Sequence, residues 1–584
     1  MNLANHPRAT LLASLLAGLA LWMAFPPVDW PWLAWLAPLP WLWLVKLERV
    51  PGRRAYLAIW FGACVHWLLM LQGIRLAHPA LYAGWLALAA YVAVYIPVFV
   101  GLTRVAVHRA GWPLALAAPI VWTGLELLKG HLLTGFSMGL LGHTQANFPW
   151  LLQTSDFAGA YAVSFLVMLV AATIADVAFA VWPQWLVQLP SDKPTARLPQ
   201  PAARSPWLAA AICLVLLVGA GLYGQFRLRE ARPDENKGRL RAALIQGSLD
   251  TAFDSSEEEY KARVNRTFQQ YGEVTRSALE QQEGIQLVLW PESMFAIFEV
   301  LGVDLAEPPG GGSAEEYRAS LKAHQQSFLR NAKDAAALLN PSRQGSTGSL
   351  AAEPVWFLCG STTLDYSTLP IKVYNSALLV DGDGRIADRY YKTHPVMFGE
   401  YIPFGEMFPW IYSLTPMSGG LSIGEGPRIF DVAGLRLCPN ICFENTVPHL
   451  IRRQVAQLTA QGKPPDLLIN DSNDGWFKGS SMLDLHLRCA VFRCVENRKP
   501  MLVAANTGFS AWIDGNGVIR EQGPRRRPKA IVVDARPDGR QSLYTAWGDI
   551  PAGLCLLLCA GLAVWGWRAP RVASERSPGG SVTE

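Results

Sequence analysis

At 584 residues the chain is too long for one core, and 51% hydrophobic against 17% charged is too apolar for an ordinary soluble enzyme. The net charge of +5 is spread around the apolar stretches and leaves no footprint for nucleic acid. Nine cysteines, an odd number without a C-x-x-C, give neither a zinc pattern nor a disulfide framework.

The apolar excess lies in residues 10–226 and 547–567, whereas 230–545 has the mixed composition of a globular domain. Candidate membrane spans are 10–25, 30–45, 56–74, 81–102, 112–128, 157–182, 207–226 and 547–567. The first is followed at once by further apolar stretches, so it reads as a span and not as a cleaved leader. The second is short of the roughly 20 residues a crossing needs and carries Pro31, Pro38 and Pro40. Cys64, Cys213, Cys555 and Cys559 fall in spans and read as small apolar fillers.

Lys and Arg set the orientation. With the N-terminus inside, the inner connections hold Lys46, Arg49, Arg53 and Arg54, then Arg104 and Arg109, then Lys193, Arg197 and Arg204, and finally Arg568, Arg571 and Arg576. The outer ones hold little beyond Arg75 and Lys129. The positive-inside rule then puts both ends in the cytoplasm and the large domain on the outer face, which in a bacterium is the periplasm of the inner membrane. The expected layout is a transmembrane domain of about seven spans over 1–229, a periplasmic domain over 230–545, a last span over 546–567 and a tail over 568–584.

Between two spans, Glu126 stands at a helix end near Lys129, followed by Thr134, several glycines and Gln145. Glu126, Thr134 and Gln145 either floor a polar entrance at the membrane surface, or Glu126 simply pairs with Lys129.

The globular domain opens with a strand ending at Gly247, then a polar helix over 255–279 with a serine- and glutamate-rich cap. The buried strand Ile285-Gln286-Leu287-Val288-Leu289-Trp290-Pro291 delivers Glu292 at its end. Residues 303–353, flanked by Pro/Gly and Ser/Gly runs, read as an insertion around a helical segment. A hairpin turns at Asp381-Gly382-Asp383-Gly384 and its second strand ends at Lys392. A strand over 466–470, a helix over 486–497, a strand over 501–506 and a turn at Asp514-Gly515-Asn516-Gly517 complete an alternating, layered α/β pattern.

Within that pattern the apolar run ending at Cys442 meets a helical pattern (Val447, Leu450, Ile451, Val455), so the thiol sits at a strand-to-helix turn. There a thiolate and an oxyanion are both favoured by backbone N–H groups. Glu292, Lys392 and Cys442 thus lie at three strand ends and are complementary: a base for the thiol proton, a cation to lower the thiol pKa and stabilise an oxyanion, and a nucleophile to hold an acyl group.

Trp290-Pro291-Glu292-Ser293, Tyr391-Lys392-Thr393-His394, Phe398-Gly399-Glu400-Tyr401-Ile402-Pro403, Ile441-Cys442-Phe443-Glu444 and Asn473-Asp474-Gly475-Trp476-Phe477 resemble the nitrilase superfamily. Together with Leu133-Thr134-Gly135-Phe136, Asn506-Thr507-Gly508 and Tyr544-Thr545-Ala546-Trp547-Gly548-Asp549, they resemble its membrane branch, the apolipoprotein N-acyltransferases. The resemblance implies an α-helical multi-span membrane domain carrying an α/β nitrilase-like α-β-β-α sandwich. It implies transfer of an acyl chain from a phospholipid, such as phosphatidylethanolamine, to the amino group of the diacylglyceryl-cysteine of an apolipoprotein. By the same resemblance Glu292 is the general base, Lys392 the stabilising cation and Cys442 the nucleophile of a ping-pong reaction. Glu400, Glu444 and the Phe443 backbone support them, no cofactor or metal is needed, and the protein acts as a monomer.

The sequence departs from the family pattern at Phe443, where Tyr is usual, at Met397, where Pro is usual, and at Phe253, where Trp is common. Phe253, Phe398, Phe443 and Trp476 are candidates for an acyl groove, with core packing as the plain alternative. His394 reads as a loop histidine or a catalytic one, and Arg525-Arg526-Arg527 as a solvated run or a headgroup contact. Two other functions fit parts of the pattern: a membrane-tethered nitrilase-type amidase, and a non-catalytic binding scaffold.

Overall fold

The computed structural model describes residues 7–47, 52–181, 205–230, 234, 237–251, 256–308, 311–341, 353–405, 407–414 and 419–568. Arg49, Trp182, Lys193, Arg197, Arg204, Phe253, the run 342–349, Arg571 and Arg576 lie outside the described residues.

The N-terminal region is helical: α1 (Pro7–Met23), α2 (Leu39–Lys46), α3 (Gly52–Met70), α4 (Leu81–Ala93), α5 (Tyr95–His108), α6 (Leu114–Lys129), α7 (Ala160–Val181) and α8 (Pro206–Glu230). Four described stretches are long and apolar enough to cross a membrane: Leu81–His108, Ala160–Val181, Pro206–Glu230 and Ile550–Arg568. Residues 30–45 do not form one continuous helix. Pro31 heads a 3-10 turn, Pro31–Trp35, and α2 restarts after Pro38 with only eight residues. Proline has no N–H to donate and fits a helix only in its first turn, so the prolines divide the stretch. Elsewhere small residues let helices approach closely. A Cβ on Gly124 of α6 would meet Cys559 Sγ at 2.8 Å and the Cys555 carbonyl carbon at 2.9 Å, so only glycine admits the C-terminal helix there.

The catalytic region is built from β1 (Leu240–Gln246), α9 (Glu257–Gln281), β2 (Leu287–Trp290), β3 (Glu299–Leu301), α10 (Ala314–Leu339), β4 (Trp356–Asp365), β5 (Lys372–Val380) and β6 (Ile386–Tyr391). There follow β7 (Phe430–Val432), β8 (Leu435–Ile441), α11 (Pro448–Ala460), β9 (Leu467–Ser472), α12 (Met482–Asn497), β10 (Met501–Ala505), β11 (Ala511–Ile513), β12 (Ile519–Gln522), β13 (Lys529–Ala535) and the C-terminal α13 (Ile550–Arg568). One sheet has the order β13-β1-β2-β4-β5-β6 with β3 beside β4, and the other the order β12-β11-β10-β9-β8-β7.

Strand periodicity assigns the layers, since successive side chains point to opposite faces. In β1, Leu240, Ala242 and Leu244 face the second sheet and meet Leu437, Ile441, Leu467 and Ile469 in an inner core. Ala243 and Ile245 point outward to Tyr271 of α9 and Phe328 of α10. On the far side, Cys438, Leu468 and Val503 pack under α11 and α12, whose apolar residues continue into the core of the helical bundle. The result is an α-β-β-α sandwich whose fourth layer is shared with the bundle.

Two local readings are refined. The α9 cap is a box between Ser256 and Glu259. The segment expected to be an insertion supplies α10, which buries Phe328, Ala332 and Leu339 against the first sheet and is therefore part of a sandwich layer.

The seam between sandwich and bundle is polar where α12 ends. Buried Arg498 donates to the Asp156 carboxylate and, at 2.6 Å, to Gln153 Oε1, while Arg227 of α8 reaches Asp156 at 2.8 Å. Glu496 accepts the Ala160 N–H at 2.8 Å, at the start of α7, and pairs with Arg493 at 2.7 Å. Removing one partner of a buried pair leaves a desolvated charge. Asp156→Ala is therefore expected to destabilise the protein by roughly 3–5 kcal/mol. Glu257→Ala, which breaks the exposed Lys261–Glu257 pair, should leave stability nearly unchanged, because water screens that pair. Thermal unfolding of the purified protein in detergent compares the two.

Candidate active site

Glu292, Lys392 and Cys442 converge at one end of the sandwich from the ends of β2, β6 and β8. Lys392, 1% exposed, lies 3.4 Å from Glu292 Oε1 and 2.8 Å from Glu400 Oε1. Asn375 Nδ2 donates to Glu292 Oε1 at 2.6 Å and Glu400 Oε1 at 3.1 Å, and the Asn473 N–H donates to Glu292 Oε2 at 2.8 Å. Each carboxylate therefore has fixed donors, which a buried charge requires.

Cys442 opens a 3-10 turn, Cys442–Thr446, directly after β8, with φ +50°. That left-handed conformation is unusual for a side chain larger than Gly and marks a held elbow. What holds it is Glu444. Fully buried, it accepts the Ile441 N–H at 2.7 Å, the Thr393 N–H at 2.7 Å, the Thr393 hydroxyl at 2.6 Å, the His394 N–H at 3.1 Å and the Tyr390 hydroxyl at 2.8 and 2.9 Å. One carboxylate thus ties the cysteine turn of the second sheet to the lysine turn of the first. Glu400 does the same for the following loop, accepting the Val396 N–H at 2.7 Å.

The electrostatics differ from expectation in one respect. Burial opposes the Lys392 charge, but Glu400 and Glu292 outweigh it and hold the amine well above its ordinary value, so it is an ammonium. Burial, then the Glu292 carboxylate, push the Cys442 thiol well above 9.0, and Lys392 only partly offsets them. The lysine lowers the thiol pKa, as expected, but burial and the Glu292 carboxylate outweigh it. Cys442 is therefore held as a thiol.

The remaining candidates are distributed as follows. Phe443 is half-buried, its ring 6.0 Å from and nearly parallel to that of His394. His394 also reaches Thr134, as does Tyr401, which brings the helical region's 132–134 turn onto the loop after Lys392. Phe398, 58% exposed, stands on that loop with Met397 beside it, and Trp476 is half-buried in the 3-10 turn Asp474–Phe477. Gln145 is not an open polar floor: fully buried, it accepts from Trp35 at 3.2 Å and donates to the Pro31 carbonyl and Thr144. Glu126 is likewise buried, one oxygen receiving the Leu141 N–H at 2.7 Å, so it fastens the loop that carries Thr134. Arg525 and Arg526 pair with Asp484 and Asp250. Asn375, Tyr390, Thr393 and His486 were not singled out in the sequence. Thr393 lies inside a quoted motif without a role of its own, and Asn375 carried only the weak signal of a polar residue in a mostly apolar hairpin strand.

Comparison with known proteins identifies the family. Residues 17–173 match the apolipoprotein N-acyltransferase N-terminal domain, and residues 241–543 match the carbon-nitrogen hydrolase family. An apolipoprotein N-acyltransferase from Rhodopirellula baltica is 32% identical over 565 residues, covering 93% of this chain and 94% of its own. The chain belongs to the apolipoprotein N-acyltransferase family. A second relative with that description, from Geobacter metallireducens, is 29% identical over 575 residues and covers 96% of each chain. Among solved structures, an amidase from Nesterenkonia sp. is 16% identical, with a TM-score of 0.33 over 51% of this chain and 91% of that chain.

The elevated thiol pKa has a direct consequence. Alkylation by iodoacetamide needs the thiolate, so in the substrate-free protein the rate at Cys442 should keep rising with pH past 9. Mass spectrometry of that peptide follows it. A plateau already at neutral pH would mean that Lys392 preforms the thiolate.

Proposed function

We propose that this chain moves an acyl chain from a membrane phospholipid to the N-terminal amine of a diacylglyceryl apolipoprotein through a Cys442 thioester. The observation that carries this reading is the buried Glu292–Lys392 pair beside a protonated thiol on a held elbow. Glu292 takes the thiol proton as Sγ attacks the ester carbonyl, and Lys392 and the backbone N–H of Phe443 oppose the charge on the resulting oxyanion. Collapse breaks the ester C–O bond, and the departing lysophospholipid oxygen takes the proton back from Glu292. The acceptor amine then attacks the thioester, gives its proton to Glu292, and the thiol is restored by that proton.

The orientation with the sandwich in the periplasm is supported by the two ends of α7. Ala160 binds Glu496 of the sandwich, while Asp176, far along the helix, pairs with Lys46 at 2.6 Å. Near that distal end Arg104 binds the carbonyls of Leu44, Val45 and Leu47, and Arg109 binds that of Gly566. Basic side chains thus gather away from the sandwich, as an inward-facing end requires.

A membrane-facing mouth is supported by the loop after Lys392, where Phe398, Phe404, Met407 and Trp410 are 58%, 72%, 69% and 64% exposed. An apolar patch of this kind fits a lipid surface better than water.

Membranes carrying an alkyne fatty acid should give a hydroxylamine-sensitive label on the purified protein, absent from Cys442→Ala. A label that persists in that variant rules out the thioester at this residue. Phe398→Asp should slow acylation from phospholipid about 10- to 100-fold, the equivalent of losing one buried aromatic contact. Acylation from a short water-soluble thioester should change little, and equal losses with both donors would move the lipid groove elsewhere.

A further inference from the structure

His486 of α12 lies directly behind the nucleophile, 5% exposed, with both ring nitrogens engaged. Nε2 is 3.0 Å from the Cys442 carbonyl oxygen, and Nδ1 is 3.0 Å from Asp474 Oδ1. A carbonyl oxygen only accepts, so Nε2 carries a proton. An ionised carboxylate also only accepts, so Nδ1 carries one too. The two contacts are satisfied together by an imidazolium facing an aspartate.

The surroundings close this arrangement into a ring. Asp474 Oδ1 also lies 3.1 Å from the Ser472 hydroxyl, which in turn reaches the Cys442 thiol, so both the carbonyl and the sulfur of one residue are tied to the same carboxylate. The Cys442 carbonyl takes a second, longer bond of 3.3 Å from Asn470 Nδ2. On its other side Asp474 is walled in: a Cβ on Gly508 would come within 2.0 Å of Oδ2. The residue so held is the one with φ +50°. Glu444 clamps the N–H side of the elbow, at Ile441, and nothing in that clamp touches the Cys442 carbonyl.

We propose that His486 is a positioning residue for the nucleophile, held doubly protonated between Asp474 and the Cys442 carbonyl so that the elbow keeps its shape through acylation. This inference rests on Cys442 being the acyl carrier. Burial works against the charged ring, and the Asp474 carboxylate with its hydrogen bond more than compensates, which agrees with the geometry.

A pair of substitutions separates this role from simple packing. In His486→Gln the amide nitrogen still reaches the Cys442 carbonyl, but the amide oxygen then faces the Asp474 carboxylate, acceptor against acceptor. Asp474→Asn supplies the missing donor. His486→Gln in the full-length protein should slow thioester formation in single turnover by about 100-fold, as a misplaced nucleophile does, with little change in KM for phospholipid. The double variant His486→Gln/Asp474→Asn should recover to within roughly tenfold of the original rate. A double variant no faster than His486→Gln, or a loss confined to KM, overturns the proposal. A second measurement leaves the protein unaltered. With 15N-labelled histidine in nanodiscs at pH 7, the His486 signals, identified by their loss in His486→Gln, should report protons on both nitrogens. A bare ring nitrogen overturns the proposal whatever the kinetics show. Should Cys442→Ala still acquire the hydroxylamine-sensitive label, the acyl-carrier assignment fails while the histidine spectrum still reports on the pair itself.

Discussion

The site depends on one buried ammonium shared by two carboxylates. A single cation in an interior position must be compensated, and Lys392 is compensated twice, at 2.8 Å by Glu400 and 3.4 Å by Glu292. The excess of one negative charge explains the rest. It keeps Lys392 ionised and, added to the larger effect of burial, it keeps the nearby thiol protonated. A buried, protonated thiol is a poor target for oxidation, so the free sulfur is protected at rest. Asn375, which donates to both carboxylates, keeps them from rotating away from the lysine.

Around that core the two sheets are joined at their reacting ends by Glu444, and the sandwich is joined to the bundle through α12. This helix has three jobs on different faces: His486 points to the nucleophile, Arg488 pairs with Asp29 and binds the His143 carbonyl, and Glu496 caps the start of α7. Its apolar side belongs to a core that is continuous with the bundle. A membrane-spanning region built this way is not merely an anchor, since one span would serve for that. It shares a core with the sandwich and so fixes the two parts relative to each other.

Much of the sandwich was legible because strand periodicity is local. The β1 alternation, the Asp381–Gly384 turn and the strand ends bearing Glu292, Lys392 and Cys442 all follow from residues adjacent in sequence. The failures share a different cause. α10 looked like an insertion because its flanking Pro/Gly and Ser/Gly runs carry the signal of a loop, while Phe328 and Ala332, which bury it, are too sparse a stripe to outweigh them. Gln145 looked like part of an entrance because amides near membranes usually face a polar space, yet its partners Trp35 and Pro31 lie more than a hundred residues away. The sign of the Cys442 shift needs its burial and the position of Glu292, not only the presence of one lysine. His486 lies 12 residues from Asp474 and 44 from Cys442, and nothing in the sequence of a lone histidine on a helix announces either contact.

Access for a two-chain lipid follows from the same geometry. Moving a long acyl chain into water would cost on the order of 10 kcal/mol, because each methylene is worth about 0.8 kcal/mol, so the chain must pass from lipid to protein without an aqueous step. The loop on which Phe398, Phe404 and Trp410 are exposed is the one whose Glu400 closes on Lys392. The 132–134 turn of the helical region, with Leu133 61% exposed, touches the same loop through Thr134 and is itself fastened by Glu126. An exposed apolar surface and the carboxylate nearest the buried lysine are therefore borne by one short segment of backbone, so the loop cannot present the one without positioning the other.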